Sequence, residues 1–525
     1  MGNPLPIHRM LSMLMCFMLA GCASTTLQPT TIPATITPTS SPPPNATFAP
    51  TATTVPATPT AQPAVTPSPT PDPDADYVPA MRPGFGGDIA LAGNIPRYTL
   101  DIWLMPASRV LTGTEHIRYT NRADAPLSDI ALRLYPNFPT DVFGKGGDVQ
   151  MDVTGAAANG QPIAPRYTAH RTAVLLQLPE PLAPGAATTL AISFTASMVP
   201  WRDGSWPLPS YYPMLAVREN GAWRLDVTRF ADHVYAESAI YAASITAPSS
   251  LTIVATGSTI AATPHADGTT THEVRTGPVR EFALTAGTFA HTTANAGNVP
   301  VHVYTARGTR LDTAQIAGVA AAALADFDTR FGAYPYAELD IQLLPYEYDG
   351  GDEFPGLILL YSGGAVGPGT RYVAAHEVAH QWWYGIVGND IYRQPWLDEA
   401  LAQYSGIIYA EDVAGPATAS ADWQREVVRR YNGARADGDL PVGWAITNYP
   451  SFNVYYRTVY GKGPVFLRIM REQIGDDAFF SALRQYYKQN RYGIGTTAAL
   501  ERAFEAAARQ PLGPLFAQWV GSAAP

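Results

Sequence analysis

The periodicity of the apolar residues changes once along this chain, and this change constrains the fold more than any other feature. From about Tyr98 to Thr305, short runs such as YTLDIWLM and TTLAISFTA alternate apolar with polar residues between turn-forming residues. This alternation is typical of half-buried strands and predicts an all-β domain, mainly antiparallel. From Asp312 onward the apolar spacing is helical, with two strand candidates, LDIQLLPY and PGLILLYSG. The sequence therefore predicts an all-β domain followed by an α+β domain.

The N-terminus has the order of segments found in a secretory signal. Arg9 precedes an apolar run from Met10 to Ala20, and Gly21-Cys22 follows. The run is shorter than the roughly 20 residues that span a bilayer, so residues 1–22 are predicted to be a signal peptide. The segment LAGC resembles the lipobox of bacterial lipoproteins, which implies lipidation of Cys22 and an exported protein anchored to the membrane. The alternative is an ordinary cleaved signal with an incidental cysteine.

The remainder of the chain divides into three segments. Residues 23–80 consist mainly of Thr, Pro, Ala and Ser, which cannot bury a core and favour an extended chain, so they are predicted to form a disordered stalk. Residues 81–305 are assigned to the all-β domain, and residues 306–525 to the α+β domain. The formal net charge of −10 offers no basic surface for phosphates, which excludes nucleic acid as a partner.

The segment HEVAH, from His376 to His380, lies in an apolar, alanine-rich helical window. Histidines four positions apart share one helix face, so both imidazoles can reach one metal ion. Glu377 stands at the edge of that face, where it can address a metal-bound water. Zinc is the ion that suits this ligand pattern, so the segment predicts a zinc site with His376 and His380 as ligands.

A third ligand is predicted at Glu399, which eighteen residues separate from His380. Glu399 opens a second helical pattern, WLDEALAQY, and a turn across VGNDIYRQP can fold this helix back towards the first. Three protein ligands leave the fourth position open, as in catalytic zinc sites. The alternative, a surface helix with a solvated glutamate, explains neither the spacing nor the adjacent Trp396.

HEVAHQWW followed by WLDEALAQY resembles the HExxH-x18-E signature of the gluzincin aminopeptidases of peptidase family M1. The resemblance covers about Tyr98 to the C-terminus. It implies a saddle-like or sandwich-like all-β domain followed by a thermolysin-like catalytic domain with one Zn²⁺ per chain. The N-terminal domain has no clear counterpart of the family's amine-binding glutamine segment. The chain also ends about 65 residues after Tyr460, without the large C-terminal helical domain, so a more open cleft is expected.

Two further segments carry this resemblance. Upstream, GGDEF from Gly350 to Phe354 stands where the family has GxMEN, whose glutamate binds the substrate's α-amine. This implies amine binding by Glu353, with Gly350 and Gly351 beside the substrate. Asp352 and Phe354 replace the family's Met and Asn, and the alternative is an acidic turn between two strands.

Downstream, the segment from Tyr455 to Gly463 resembles the family's Y-x4-Y-x-KG segment. The second tyrosine of that segment donates a hydrogen bond to the oxyanion, which implies this role for Tyr460 and a neighbouring substrate contact for Tyr455. The alternative is a tyrosine-rich loop packed on the core, in a chain with 28 tyrosines.

The sequence thus predicts a zinc metallopeptidase, namely an aminopeptidase acting on peptides with a free N-terminus. Glu377 is the predicted general base and Tyr460 the predicted oxyanion donor. A thermolysin-like endopeptidase with an open cleft is an alternative in the same class. A catalytically inert surface protein that binds ligands on a peptidase scaffold is an alternative from another class.

Overall fold

The computed structural model describes residues 74–91, 93–138, 149–228, 230 and 232–521. The predicted signal peptide, Cys22 and the stalk up to residue 73 lie outside the described residues and stay predictions. In the part of the chain that is described, no helix combines the length and apolarity needed to cross a membrane.

The end of the predicted stalk is folded, which corrects its boundary at residue 80. Ala75–Ala80 form a 3-10 helix, and the side chain of Ala80 is buried. The carbonyl of Ala80 accepts a hydrogen bond from the amide of Ala337, and Arg82 forms an ion pair with Asp328. These contacts order the segment although its composition resembles that of the stalk.

The β-rich N-terminal region contains the first strands of the chain. They are β1 (Arg97–Met105), β2 (Val110–Thr120), β3 (Leu127–Arg133), β4 (Met151–Ala158), β5 (Gln161–Pro162), β6 (Pro165–Thr168), β7 (Ala173–Leu182), β8 (Ala187–Ser197), β9 (Trp206–Pro209), β10 (Met214–Leu215), β11 (Arg218–Glu219), β12 (Ala222–Trp223), β13 (Ile240–Pro248), β14 (Thr252–Ala255), β15 (Ser258–Pro264), β16 (Thr269–Arg275) and β17 (Ala283–Gly287). The largest sheet has the order β15-β16-β13-β1-β2-β8-β4-β5, and smaller sheets have the orders β10-β3-β7-β6, β14-β17-β9 and β11-β12.

The predicted alternation is confirmed in the long strands β1, β2 and β8. In β1, Tyr98, Leu100, Ile102 and Leu104 are buried while the residues between them are exposed. Pairing is mainly antiparallel as predicted, but β1 and β13 run parallel. The chain builds β2 to β12 between these two strands, so no hairpin fixes their relative direction.

A five-stranded sheet supports the second part of the molecule. Its strands are β18 (Phe289–Ala296), β19 (Val299–Ala306), β20 (Leu339–Pro345), β21 (Gly350–Asp352) and β22 (Leu357–Ser362), in the order β18-β19-β20-β22-β21. The three inner strands are parallel, and the two edge strands are antiparallel to their neighbours. β20 and β22 are the two strands predicted from the sequence. The domain boundary at 305/306 stays a prediction, and the pairing of β18 with β19 and of β19 with β20 favours an earlier one.

The described residues form eleven α-helices, of which the second and third pack on this sheet. They are α1 (Gly87–Leu91), α2 (Thr313–Arg330), α3 (Pro368–Ala379), α4 (Trp396–Tyr409), α5 (Pro416–Asp422), α6 (Arg429–Ala436), α7 (Phe452–Arg457), α8 (Gly463–Ile474), α9 (Asp476–Asn490), α10 (Thr497–Ala508) and α11 (Gly513–Trp519). Three π-helical turns lie at Ala410–Ala414, Trp423–Val428 and Thr458–Lys462. α2 begins at the cap Asp312, whose side chain accepts from the amide of Gln315, and its buried face packs on β18 and β19. α4 is buried along its whole length and lies at the centre of the helical part.

Candidate active site

The second half of α3 and the first turn of α4 bring three metal-binding side chains together. His376 lies in the last turn of α3, His380 directly follows the helix, and Glu399 lies in the first turn of α4. The Nε2 atoms of the two histidines are 3.1 Å apart, and each is 3.4 Å from Oε2 of Glu399. All three side chains are buried. The three predicted ligands therefore converge on one point.

The donors fit a divalent cation. Nδ1 of His380 lies 3.0 Å from the carbonyl oxygen of Trp383, so a proton on Nδ1 leaves the Nε2 lone pair facing Glu399. Burial lowers the pKa of His376, which keeps this ring neutral and able to ligate. Burial opposes charge on Glu399 as well, but the two imidazoles hold its pKa well below the usual range. Two imidazoles and one carboxylate are a common protein ligand set for zinc.

Glu377 lies beside this cluster with an unused acceptor. Its carboxyl is 4% exposed, and its Oε2 has no hydrogen-bond partner among the residues that the structure describes. Burial raises the pKa of Glu377 to about 8, and Glu399 and Asp352 add to this shift. A buried carboxyl with a raised pKa can both take up and release a proton near neutral pH, as a general base must.

The edge strand β21 forms the opposite wall. A Cβ atom added at Gly351 would lie 2.5 Å from Cδ of Glu377, so the backbone of β21 can approach this carboxyl only because residue 351 has no side chain. Glu353 follows β21, is 8% exposed, and offers a carboxylate oxygen within 4.8 Å of donors from Glu377 and His380. Asp352 instead accepts a hydrogen bond from the hydroxyl of Tyr361. The acidic segment is thus an edge strand at the site and not a turn remote from it.

Tyr460 reaches the cluster from a π-helical turn, Thr458–Lys462. Its hydroxyl donates to Oε1 of Glu399, and its ring stacks on His376 with centroids 6.0 Å apart. Burial, with Glu399, raises the pKa of Tyr460 well above its usual value, so the hydroxyl stays a donor. π-helical turns often occur at functional sites because they redirect one side chain.

The predicted substrate contact of Tyr455 is corrected by the structure. Tyr455 is fully buried, packs on Phe230 and Tyr449, and does not line the cleft. Tyr456, one position later on α7, lines the cleft instead because adjacent helical residues point about 100° apart. The motif register alone could not distinguish these two neighbours.

The three predicted metal ligands, Glu377 and Tyr460 line a cleft of about 340 Å³. Gly350, Gly351 and Glu353 all border it, as predicted from the sequence. Other lining side chains were not predicted, and they are Asp232, Tyr348, Asp349, Tyr372, Val373, Gln403, Glu426, Arg430, Phe452 and Tyr456.

Asp232 is the most informative of these residues because it comes from the β-rich region. Burial raises its pKa well above the usual range, and the carboxylates of Glu399 and Asp398 add to the shift. Its carboxyl also raises the pKa of Glu353, so the two side chains are close enough to interact. No motif or spacing links Asp232 to the metal-binding helices, which is why sequence reasoning missed it.

Arg280 fixes the β-rich region to the loop that follows α3. Its guanidinium is 2% exposed and donates to the carbonyl oxygens of Tyr384 at 2.7 Å, Ala236 at 2.9 Å and Gly493 at 2.6 Å. Tyr384 has a φ of +119°, so the chain that follows α3 does not resume a helix at this position. The hydroxyl of Tyr384 donates to Glu281, which also belongs to the β-rich region.

Comparison with known proteins gives a family match in the second half of the chain. Residues 319–519 match the family model described as the peptidase family M1 domain. Over 238 residues the chain is 26% identical to Aminopeptidase 2 of Candida albicans, covering 42% of this chain and 25% of that protein. It is 25% identical over 157 residues to Aminopeptidase N of Lactobacillus helveticus, covering 28% of this chain and 18% of that protein. The chain thus aligns with a quarter or less of the length of these relatives.

Solved structures match more of the chain. A crystal structure of an M1 zinc metallopeptidase from Deinococcus radiodurans aligns with a TM-score of 0.60 at 22% identity, over 81% of this chain and 93% of that one. A mutant M1 zinc metallopeptidase from the same organism, bound to a Tyr-Ser-Ala substrate, aligns with a TM-score of 0.59 at 22% identity, over 82% and 95%. The two-part fold, β-rich and then helical, is shared with these structures.

Proposed function

We propose that this chain is a zinc aminopeptidase of peptidase family M1, since residues 319–519 match the model of that family's domain. The observation that carries the proposal is the convergence of His376, His380 and Glu399 in a cleft that also holds Glu377 and Glu353. The relatives named above are aminopeptidases and zinc metallopeptidases, which supports the same activity and ion.

Each step of peptide hydrolysis has a residue suited to it. Zn²⁺ held by His376, His380 and Glu399 would supply Lewis acidity and bring the pKa of a bound water towards about 7. Glu377 takes the proton of the attacking water on its unpartnered Oε2 and returns this proton to the leaving amine. Burial of this carboxyl excludes bulk water from the proton transfer.

The hydroxyl of Tyr460 supplies a neutral hydrogen-bond donor beside the predicted metal ligand Glu399. This hydroxyl already donates to an oxygen of Glu399, so only a small reorientation aims it at a carbonyl oxygen bound next to that glutamate. A donor directed at the developing oxyanion strengthens its hydrogen bond as charge accumulates in the transition state.

The acidic wall of the cleft favours an N-terminal substrate. Glu353 and Asp232 lie close together with buried or partly buried carboxyls, and no Lys or Arg of the described residues forms an ion pair with Glu353. Buried negative charge is stabilised by a cation, and the α-ammonium of a peptide has the right charge and size. Binding that ammonium would position the first peptide bond at the metal-binding cluster.

The aminopeptidase proposal is tested with one peptide in two forms, with a free and an N-acetylated N-terminus. We expect the zinc-loaded protein to cleave the free form at least about 10-fold faster. Glu353→Gln should remove most of this preference while retaining bound zinc. Equal cleavage of both forms would favour the endopeptidase alternative. No cleavage of either form by the zinc-loaded protein would favour the binding scaffold.

A separate proposal concerns location. On the basis of residues 1–22 and the LAGC segment, we propose that the protein is exported and anchored through a lipid on Cys22. Incorporation of a labelled fatty acid into the wild type, and its loss in Cys22→Ser, is the expected result. Equal labelling of both proteins would contradict it.

A further inference from the structure

A second group of metal-binding side chains lies on the five-stranded sheet, outside the cleft. It consists of His302 on β19, Glu338 just before β20, and Asp340 on β20. His302 and Asp340 are partners in the parallel register, so their side chains leave the same face of the sheet. Donor atoms of the three residues all lie within 4.8 Å of one another, and His302 Nε2 is 3.6 Å from Glu338 Oε2.

This face is distinct from the one that supports the cleft. The neighbouring residues Val301, Val303, Leu339 and Ile341 belong to the main core, which also contains the apolar side chains of α2 and α3. Because side chains alternate along a strand, His302 and Asp340 point away from those helices. None of the predicted catalytic residues belongs to this second group.

Asp340 is the observation that points to a ligand. It is 6% exposed, its Oδ1 has no hydrogen-bond partner, and no Lys or Arg forms an ion pair with it or with Glu338 among the described residues. Buried polar groups are nearly always satisfied, and a buried carboxylate without a cation is strongly disfavoured. Two neighbouring carboxylates therefore need a proton or a cation.

The histidine is oriented to complete such a site. Nδ1 of His302 lies 2.8 Å from the hydroxyl of Thr293 on the adjacent strand β18. With a proton on Nδ1 donated to Thr293, the Nε2 lone pair faces the two carboxylates. Metal-bound histidines are commonly held in this way by a hydrogen bond to their other ring nitrogen.

We propose that His302, Glu338 and Asp340 form a second divalent-cation site, which takes a transition-metal ion such as Zn²⁺ and joins β19 to β20. One imidazole and two carboxylates suit zinc or manganese better than calcium or magnesium, which prefer oxygen ligands alone. A dication also balances the two carboxylate charges. The side chains of His302 and Glu338 are 22% and 27% exposed, which gives an ion access from solvent.

The competing explanation needs no ion. Burial, with Glu338 next to it, raises the pKa of Asp340 well above its usual value, so a proton could neutralise Asp340 instead. His302 and Glu338 would then form an ordinary ion pair near the surface. Counting bound metal separates the two explanations.

The test measures zinc per chain by mass spectrometry after dialysis against buffered micromolar Zn²⁺. We expect about two zinc ions in the wild type and about one in both His302→Ala and Asp340→Asn. Glu399→Ala should also retain about one, because it removes a ligand of the cleft and leaves the second site intact. His291→Ala, an exposed histidine on the neighbouring strand β18, is the matched control and should keep the wild-type count.

A second measurement shows whether a variant that has lost zinc is still folded. Added Zn²⁺ should raise the midpoint of thermal unfolding of Glu399→Ala, and the double variant Glu399→Ala/Glu338→Gln should lose that rise. The proposal is overturned if wild type, His302→Ala and Asp340→Asn bind the same amount of zinc. It is also overturned if zinc raises the midpoint of the single and double variants equally.

Discussion

Gly351 illustrates at the residue scale how the backbone limits where the carboxyl of Glu377, the proposed general base, can lie. The strand β21 passes so close to Glu377 that a methyl group at position 351 would overlap the carboxyl. The sequence predicted Gly351 as a neighbour of the substrate. Gly351 does border the cleft, and it also leaves room for the carboxyl of Glu377, the proposed general base.

Gly351→Ala is therefore expected to displace Glu377 and lower kcat by at least about 10-fold, since displacements near 1 Å can cost about 10²-fold in rate. Gly350→Ala is the matched variant, because a Cβ atom there would meet its nearest neighbour at 3.7 Å, an ordinary contact. A steady-state comparison of the two variants checks this prediction. A larger loss in Gly350→Ala than in Gly351→Ala would contradict it.

Tyr460 and Tyr455 offer a second pair at this scale. Tyr460→Phe removes the donor beside Glu399 and is expected to lower kcat by about 10²–10³-fold with little change in KM. Tyr455→Phe removes a buried hydroxyl that has no partner among the described residues, so activity and stability should stay close to those of the wild type. Similar losses of kcat in both variants would show that the tyrosines act through packing.

At the scale of elements, the loop after α3 depends on the β-rich region. Arg280 donates to four backbone carbonyls, and a Cβ atom at Gly388 would lie 2.1 Å from its guanidinium carbon. The loop is thus built around one buried cation. Its first residues continue directly from His380, so the position of the metal-binding helix is coupled to this contact.

Arg280→Met should lower the free energy of unfolding by about 3–5 kcal/mol, because it leaves buried carbonyls and the adjacent Glu281 without their cation. Arg310→Met, at an exposed arginine, is the control and should change stability by less than about 0.5 kcal/mol. Urea unfolding monitored by circular dichroism measures both. Equal stabilities of the two variants would remove the structural role assigned to Arg280.

The elements that the sequence predicted well are those with a local signal. α2, α3, α4, α8 and α9 follow apolar repeats, and β20 and β22 follow short apolar runs between turn residues. The π-helical turn that carries Tyr460 and contacts α6 and α8 has no such signal in the sequence.

At the scale of the whole molecule, the cleft combines local motifs with residues brought by the fold. The metal ligands, Glu377 and Glu353 could be predicted because family-like spacings place them along two helices and one strand. Asp232 could not, since only the packing of the β-rich region against the helical part brings it to the cleft. Arg280 and Glu281 could not be predicted either, because no local sequence pattern indicates that they are buried.

Burial also makes the stability of the molecule depend on pH. Glu281 is fully buried, and burial raises its pKa to about 7, above its unfolded value of about 4.3. Between these values the native state keeps a proton that the unfolded state releases, so stability falls as pH rises, by up to about 1.4 kcal/mol per pH unit.

Glu281→Gln should flatten this slope between about pH 4.5 and 7, because the amide does not titrate. Other buried carboxyls titrate in the same range, so the difference between wild type and variant isolates Glu281. Urea unfolding at several pH values gives that difference. A slope that is the same in both proteins would mean that Glu281 is charged in the native state.

The central claim, a zinc peptidase with Glu377 as its general base, is tested most directly by comparing zinc-loaded wild type with zinc-loaded Glu377→Gln. The measurement is hydrolysis of a panel of fluorogenic aminoacyl-amides, with zinc content determined for both proteins. The account predicts release by the wild type and a loss of about 10²–10⁴-fold in the variant at unchanged zinc content. A zinc-loaded variant as active as the wild type, or a zinc-loaded wild type inert on the whole panel, would contradict it.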